Sequence, residues 1–181
     1  MRISDFDVLI VPRFGGADEG DWPSRWGAKL STARVVVPSE VGAARRDAWT
    51  NAIVDAVRAA RRPVLFVGHG LGAAAIASAA FALGGADIRG AFLVSPTDRA
   101  GLERLAGQGW SLPSAPLPWP TVVVASRNDS DGAYDAVAAL AAEWAAELID
   151  AGHAGGLDAD SGHGPWPEGL MRLAGFIKKL A

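Results

Sequence analysis

Short apolar runs alternate with longer segments of helical period along this chain. Residues 7–11 (DVLIV) make a run rich in β-branched side chains that stops at Pro12. Residues 34–37 (RVVV) stop at Pro38, 63–67 (PVLFV) run into glycines, and 91–94 stop at Ser95-Pro96. Residues 121–125 (TVVVA) and the shorter 147–149 complete the series. Continuous apolar runs of this length suit strands buried on both faces. Between them, Trp22, Trp26 and Leu30 fall on one helical stripe, as do Trp49, Ile53, Val54 and Val57 within 46–60. Residues 71–83 are almost all small or apolar, which predicts a buried helix. Residues 134–146 and 167–180 supply two more helices.

Strands alternating with helices predict an α/β fold: a single domain over residues 1–181, with a mostly parallel sheet of about six strands covered by helices on both faces. Right-handed crossovers place the loops that follow the strands at one common edge, where a ligand site is expected. Residues 101–120 carry Gly107, Gly109, Pro113, Pro116, Pro118, Pro120, Trp110 and Trp119. They read as an ordered loop without regular structure, of a length that more often walls a pocket than merely connects.

Composition narrows the chemistry. The chain has 181 residues, half of them hydrophobic, which excludes a largely disordered protein. The formal net charge is −3, with no basic excess to suit a nucleic acid. Cysteine is absent, which removes thiolate catalysis, disulfides and Cys-based metal sites, and only three histidines remain. No apolar stretch reaches the roughly 20 residues of a membrane span, and the first apolar run is too short for a signal peptide. A cytoplasmic protein is expected, and its Ala-, Gly- and Arg-rich composition suits a GC-rich bacterial genome. His153, Asp158, Asp160 and His163 lie close in sequence, but their spacing matches no metal motif. No cofactor is indicated, and 68–72 lack the Gly-Lys-Ser/Thr of a phosphate loop.

The decisive segment is Gly68-His69-Gly70-Leu71-Gly72, between a predicted strand and a predicted helix. This is the frame of a nucleophile elbow, Gly-x-Ser-x-Gly, with glycine at its centre. Around it stand Val11-Pro12 followed by Phe14-Gly15-Gly16, the Trp22 to Trp26 segment, Asp47-Ala48-Trp49 and Ser95-Pro96. Further on come Ala115-Pro116-Leu117-Pro118, Ala125-Ser126-Arg127-Asn128-Asp129 and the run from Ser161-Gly162-His163 to Glu168-Gly169. Together these resemble the small serine hydrolases related to YdeN and to retinoblastoma-binding protein 9, a compact α/β-hydrolase fold with no large cap.

The resemblance implies a Ser-His-Asp triad. Its acid falls on Asp129. Its serine falls on Gly70. Its histidine falls on Gly156, five residues before Ser161. The family's Pro-Gly after the first strand is Pro12-Arg13 here, and the residue before Trp22 is Asp21 rather than histidine. The resemblance therefore implies a degenerate triad, with His153 as the one histidine that could replace the lost base.

Each candidate has two readings. Asp129 either hydrogen-bonds loop amides or acts as a general base whose pKa burial has raised. Arg13 is a surface residue or a pocket cation for a carboxylate, enolate or phosphate. Asp21 caps the helix starting near Trp22, or pairs with Arg13. His69 is structural or catalytic. His153 reaches the pocket edge, with Asp158 beside Gly156 as a pocket residue. Trp110 and Trp119 belong to the core or to a ligand wall. The backbone N–H of Leu71 could serve as an oxyanion donor. Three functions follow. The first is a repurposed enzyme of cyclase, lyase or isomerase type, transferring protons on a small carbonyl compound. The second is a pseudoenzyme that binds a small ligand or a protein partner. The third is a weak, unconventional ester hydrolase.

Overall fold

The computed structural model describes residues 1–107 and 109–180. After a short 3-10 turn at Ile3–Asp5, six strands alternate with six helices: β1 Asp7–Val11, α1 Trp22–Lys29, β2 Ala33–Val35, α2 Arg46–Arg58, β3 Val64–His69, α3 Leu71–Ala79, β4 Ile88–Val94, α4 Arg99–Ala106, β5 Thr121–Ala125, α5 Tyr134–Glu143, β6 Glu147–Asp150 and α6 Pro167–Lys179. The strands form one sheet in the order β2-β1-β3-β4-β5-β6, and every pairing is parallel.

The apolar runs become strands because the sheet needs apolar residues on both faces. Val8 and Ile10 of β1 point into one layer, with Phe92, Val94, Val122 and Val124. Leu9 and Val11 point into the other, with Phe66, Leu93 and Val123. The period of two is that of a pleated strand. The first layer is closed by Trp22 and Trp26 of α1 and by Leu173, Phe176 and Ile177 of α6. The second is closed by Trp49 and Ile53 of α2, the almost entirely buried α3, and Val137 and Leu140 of α5.

Most boundaries shift by a few residues from the sequence reading, with β3 running on to His69 and β4 starting at Ile88, and three differences stand out. β2 spans Ala33–Val35 rather than 34–37, although the Val36 amide still donates to Ile10 O at 2.7 Å. As an edge strand it leaves Val35 and Val37 exposed. α3 ends at Ala79 and tightens into a 3-10 turn over Ala80–Leu83. The third difference is a correction. The first part of 101–120 is not a loop but α4, which begins at Arg99. Its cap is Asp98, buried, whose Oδ1 accepts from Gly101 N at 2.7 Å and whose Oδ2 accepts from Ala133 N at 2.9 Å. That cap lies outside the Gly/Pro-rich window, which is why the helix was hidden. Gln108, inside the predicted loop, lies outside the described residues.

The chain leaves β1 toward β2, then crosses back to β3 on the other side of β1. The loops after β1 and β3 therefore face each other across the point where the strand order reverses, the usual ligand crevice of such sheets.

Candidate functional site

The centre of the site is the turn from β3 into α3. Gly70 has φ 56° and ψ −120°, a left-handed conformation that side chains rarely adopt. Its amide donates to Val94 O at 3.0 Å, and its carbonyl accepts from Thr97 N at 3.2 Å. The elbow is thereby pinned to the loop leaving β4. Gly72, the second residue of α3, packs flat on β1: a Cβ there would overlap the carbonyl oxygens of Val11 and Pro12. A side chain at 72 is thus barred by the fold. At 70 the obstacle is a different one, because a Cβ would meet the Arg13 Cβ at 3.1 Å.

Arg13 leaves β1 and reaches across the crevice. Its Nη2 donates to Asp21 Oδ2 at 3.1 Å and its Nη1 to Asp158 Oδ2 at 3.2 Å. Asp21 is almost fully buried. It stands at the N-cap position of α1, yet its side chain makes no capping bond. Its Oδ1 instead accepts from Ala159 N at 2.8 Å. Of the two roles expected for Asp21 the capping one is absent and the pairing with Arg13 is present, because a buried carboxylate is better compensated by a guanidinium than by one amide.

Asp158 is held by Ser161, whose hydroxyl and amide donate to Oδ1 at 2.7 and 2.9 Å. Partial burial alone would raise its carboxyl. The Ser161 hydrogen bonds, with Arg13 and His69, outweigh that, and the net displacement is downward. A Cβ on Gly156 would lie 2.8 Å from Asp158 Oδ2. The Arg13–Asp158 pair thus fills the ground beside both Gly70 and Gly156.

Asp129 sits on the other side. The segment before Gly156 is tied to its loop: Ala154 N donates to Ser126 Oγ at 3.0 Å and Gly155 N to Asn128 Oδ1 at 2.8 Å. Asp129 itself is half-buried and accepts from Asp131 N at 3.0 Å. Burial pushes its carboxyl above the ordinary aspartate range. The charges of Asp131 and Asp158 add to this, while the Asp131 amide and the Ser95 hydroxyl oppose it.

His69, the last residue of β3, is buried against Trp22, with ring centroids 5.2 Å apart. Its Nε2–H donates to Gly156 O at 2.8 Å. Burial and the nearby Arg13 push its pKa down, against the Gly156 carbonyl and the carboxylates of Asp158 and Asp21. A histidine kept neutral in the fold but free to protonate when unfolded stabilises the protein fully above about pH 6.5. That stability is lost as the pH falls toward the depressed folded value. Melting temperatures at pH 7.5 and 5.5 should therefore drop less in His69→Gln than in the natural protein. Equal drops would remove His69 from the acid response.

The remaining candidates lie elsewhere. His153 is exposed after β6 and makes no hydrogen bond among the described residues, so it does not join Asp129. Trp119 is buried in the core, 5.9 Å from the Phe66 ring, and is no ligand wall. Trp110 donates to Ala44 O at 2.7 Å and lines a cavity of about 250 Å³ with Arg99, Leu102 and Leu112. None of the elbow residues lines that cavity. Among the described residues no group of three His, Asp or Glu side chains could hold a metal ion, and no helix is long and apolar enough to cross a membrane.

One residue was missed. Ser95 follows β4, directly beside the elbow, with φ 44° and a buried hydroxyl that helps hold down the proton affinity of Asp129. The sequence offered only a serine before a proline, which gives no hint of a left-handed backbone.

The comparisons with known proteins bear on this geometry. The serine hydrolase profile matches residues 8–175. The chain belongs to the serine hydrolase family. Among solved structures, a YdeN-like hydrolase of Pectobacterium atrosepticum is 31% identical, with a TM-score of 0.88 over 97% of this chain and 92% of its own. The ydeN gene product of B. subtilis is 21% identical, with a TM-score of 0.77 over 96% of this chain and 99% of its own. ClbQ from the colibactin NRPS/PKS pathway is 15% identical, with a TM-score of 0.71 over 97% and 98%. The latter two share the fold. None of the curated proteins matches the chain. The α/β-hydrolase architecture expected from the sequence is thus the one this serine hydrolase family member adopts.

Proposed function

We propose that the protein is a non-hydrolytic member of the serine hydrolase family that binds a small molecule at the carboxyl edge of its sheet, beside Asp129. The observation that carries this reading is the elbow itself. Gly70 keeps the left-handed turn of a nucleophile elbow but has no side chain, and Arg13 lies against the place where one would begin. Without a serine at that turn, and with glycine at 156, no acyl-enzyme can form by the triad route. The absence of cysteine and the small negative net charge suit a cytoplasmic protein that binds neither nucleic acid nor membrane.

A fluorophosphonate probe, which reacts only with an activated serine, tests the reading directly. Intact mass should stay unchanged, and p-nitrophenyl acetate should be hydrolysed no faster than in buffer. Covalent labelling of any serine, mapped by peptide mass spectrometry, would overturn it.

The proton-transfer reading is second. Its support is the raised proton affinity of Asp129. Its weakness is that Arg13, the cation needed to stabilise an enolate, is already paired with two carboxylates. If it holds, Asp129→Asn abolishes turnover of a carbonyl substrate; if binding alone is the function, the substitution alters affinity and no chemistry is lost.

A further inference from the structure

The amino edge of the sheet, opposite the candidate site, carries a second concavity. One wall is the turn entering β2 and the other is the connection from α2 to β3, with the first residue of β1 between them. The hollow encloses about 480 Å³ and is lined by Asp7, Ser31, Thr32, Arg34, Arg61 and Arg62. Three guanidinium groups thus share it with a single carboxylate, in a chain whose formal net charge is −3.

The fold holds this array in place. Asp7 Oδ2 accepts from the amides of Arg61 and Arg62 at 2.6 and 3.1 Å, and its Oδ1 accepts from Arg62 Nη1 at 3.2 Å. Arg34 Nη2 donates to Ala56 O, in the last turn of α2. The one carboxylate is therefore occupied in fixing Arg62 and the backbone beside it. Arg34 and Arg61 have no carboxylate within ion-pair distance among the described residues. Neither the Arg61 guanidinium nor the Ser31 hydroxyl makes a hydrogen bond there. All three arginines are exposed, so a ligand reaches the hollow without an opening motion.

Like charges gathered in one concavity repel each other and attract a counter-ion. A monocarboxylate brings one charge and two oxygens in one plane, which leaves much of the array uncompensated. A tetrahedral phosphoryl group brings two or more charges and presents oxygens in several directions, as guanidinium forks approaching from two walls require. We propose that the amino-edge hollow is a binding site for a small phosphoryl anion of two or more negative charges, held by Arg34, Arg61 and Arg62 with the Ser31 hydroxyl as a further donor. The site lies at the opposite end of β1 from Arg13 and stands independently of the carboxyl-edge reading.

The test is an NMR titration of the full chain at fixed ionic strength with sodium pyrophosphate, adenosine diphosphate and sodium acetate. Pyrophosphate should give saturable shifts at the amides of Arg34, Arg61 and Arg62, and acetate should give none at about tenfold higher concentration. Adenosine diphosphate separates the two sources of such a group. Saturation of the same amides at lower concentration than pyrophosphate marks a phosphate ester as the occupant, and at higher concentration the free anion. Arg61→Gln should raise the half-saturating pyrophosphate concentration about tenfold, as expected for one charged hydrogen-bonding group. It should leave the melting temperature unchanged, because that guanidinium makes no hydrogen bond among the described residues. Arg104→Gln removes the same charge from α4, outside the hollow, and should not alter binding. An equal loss in Arg104→Gln, acetate shifts at the pyrophosphate concentration, or no saturable shift in the natural protein would each overturn the proposal.

Discussion

The Gly70→Ser/Gly156→His double variant should stay inert toward a fluorophosphonate, even though it restores both missing side-chain types. The new serine would begin 3.1 Å from the Arg13 Cβ, and the new histidine would begin 2.8 Å from Asp158 Oδ2. The histidine would press on the carboxylate end of the Arg13–Asp158 pair and the serine would crowd the stem of Arg13, whose guanidinium also compensates the buried Asp21. Breaking such a pair costs about 3–5 kcal/mol when fully buried, and less here because the guanidinium is one-third exposed. Removing the whole cluster avoids that penalty. Adding Arg13→Gly, Asp21→Asn and Asp158→Asn to the double variant leaves no orphan charge and keeps an acceptor for Ala159 N and for Ser161. This five-site variant should label and turn over p-nitrophenyl acetate. Loss of a triad serine or histidine costs about 10⁶ in kcat, so even a poorly placed triad should exceed the background by 10³ or more. Labelling of the double variant at the same rate would mean that the Arg13 cluster is no obstacle.

Gly72→Ala should be among the most destabilising single substitutions in the chain. Its Cβ would overlap two backbone carbonyl oxygens, those of Val11 and Pro12, which no rotamer can relieve. α3 would have to move off β1 along its buried face. Overpacking costs about 1–3 kcal/mol, and a clash with fixed backbone belongs at the upper end, about 3 kcal/mol, which lowers the melting temperature of a chain this size by roughly 6–12 °C. Gly42→Ala, where a Cβ meets nothing within 4 Å, is the control and should melt with the natural protein. Similar melting of both variants would show that the helix can shift freely. The contrast with Gly70 is instructive. Position 72 is glycine because the fold demands it, whereas position 70 faces a side chain that could move.

The strands were readable because burial on both faces imposes uninterrupted apolar runs, and prolines mark their ends. The elbow was readable because its glycines serve close approach. α4 was not, since its start depends on the Asp98 cap, which lies before the Gly/Pro-rich window. The Arg13–Asp158 pair was not readable either. Its members lie 145 positions apart, and nothing local marks either as bound to the other. Asp21 was legible in part: the sequence allowed a cap or a pairing with Arg13, and the pairing is what forms, while only the folded chain brings Ala159 to it. Ser95 carried no signal, because backbone strain is set by what surrounds a residue and not by its neighbours in sequence.

The Arg13 staple also has a consequence for synthesis on the ribosome. Asp21 is compensated by Arg13, but the rest of its shell comes from 158–159, and the Trp22 indole N–H waits for Leu157 O at 2.9 Å. The 13–26 segment therefore emerges roughly 7–30 s before its partners, at about 5–20 residues per second. During that interval its two tryptophans and its carboxylate have no settled environment. β1 can pair with β3 well before then, so the sheet forms around an unfinished corner. The 157–165 segment, made long after 13–26, is what closes that corner.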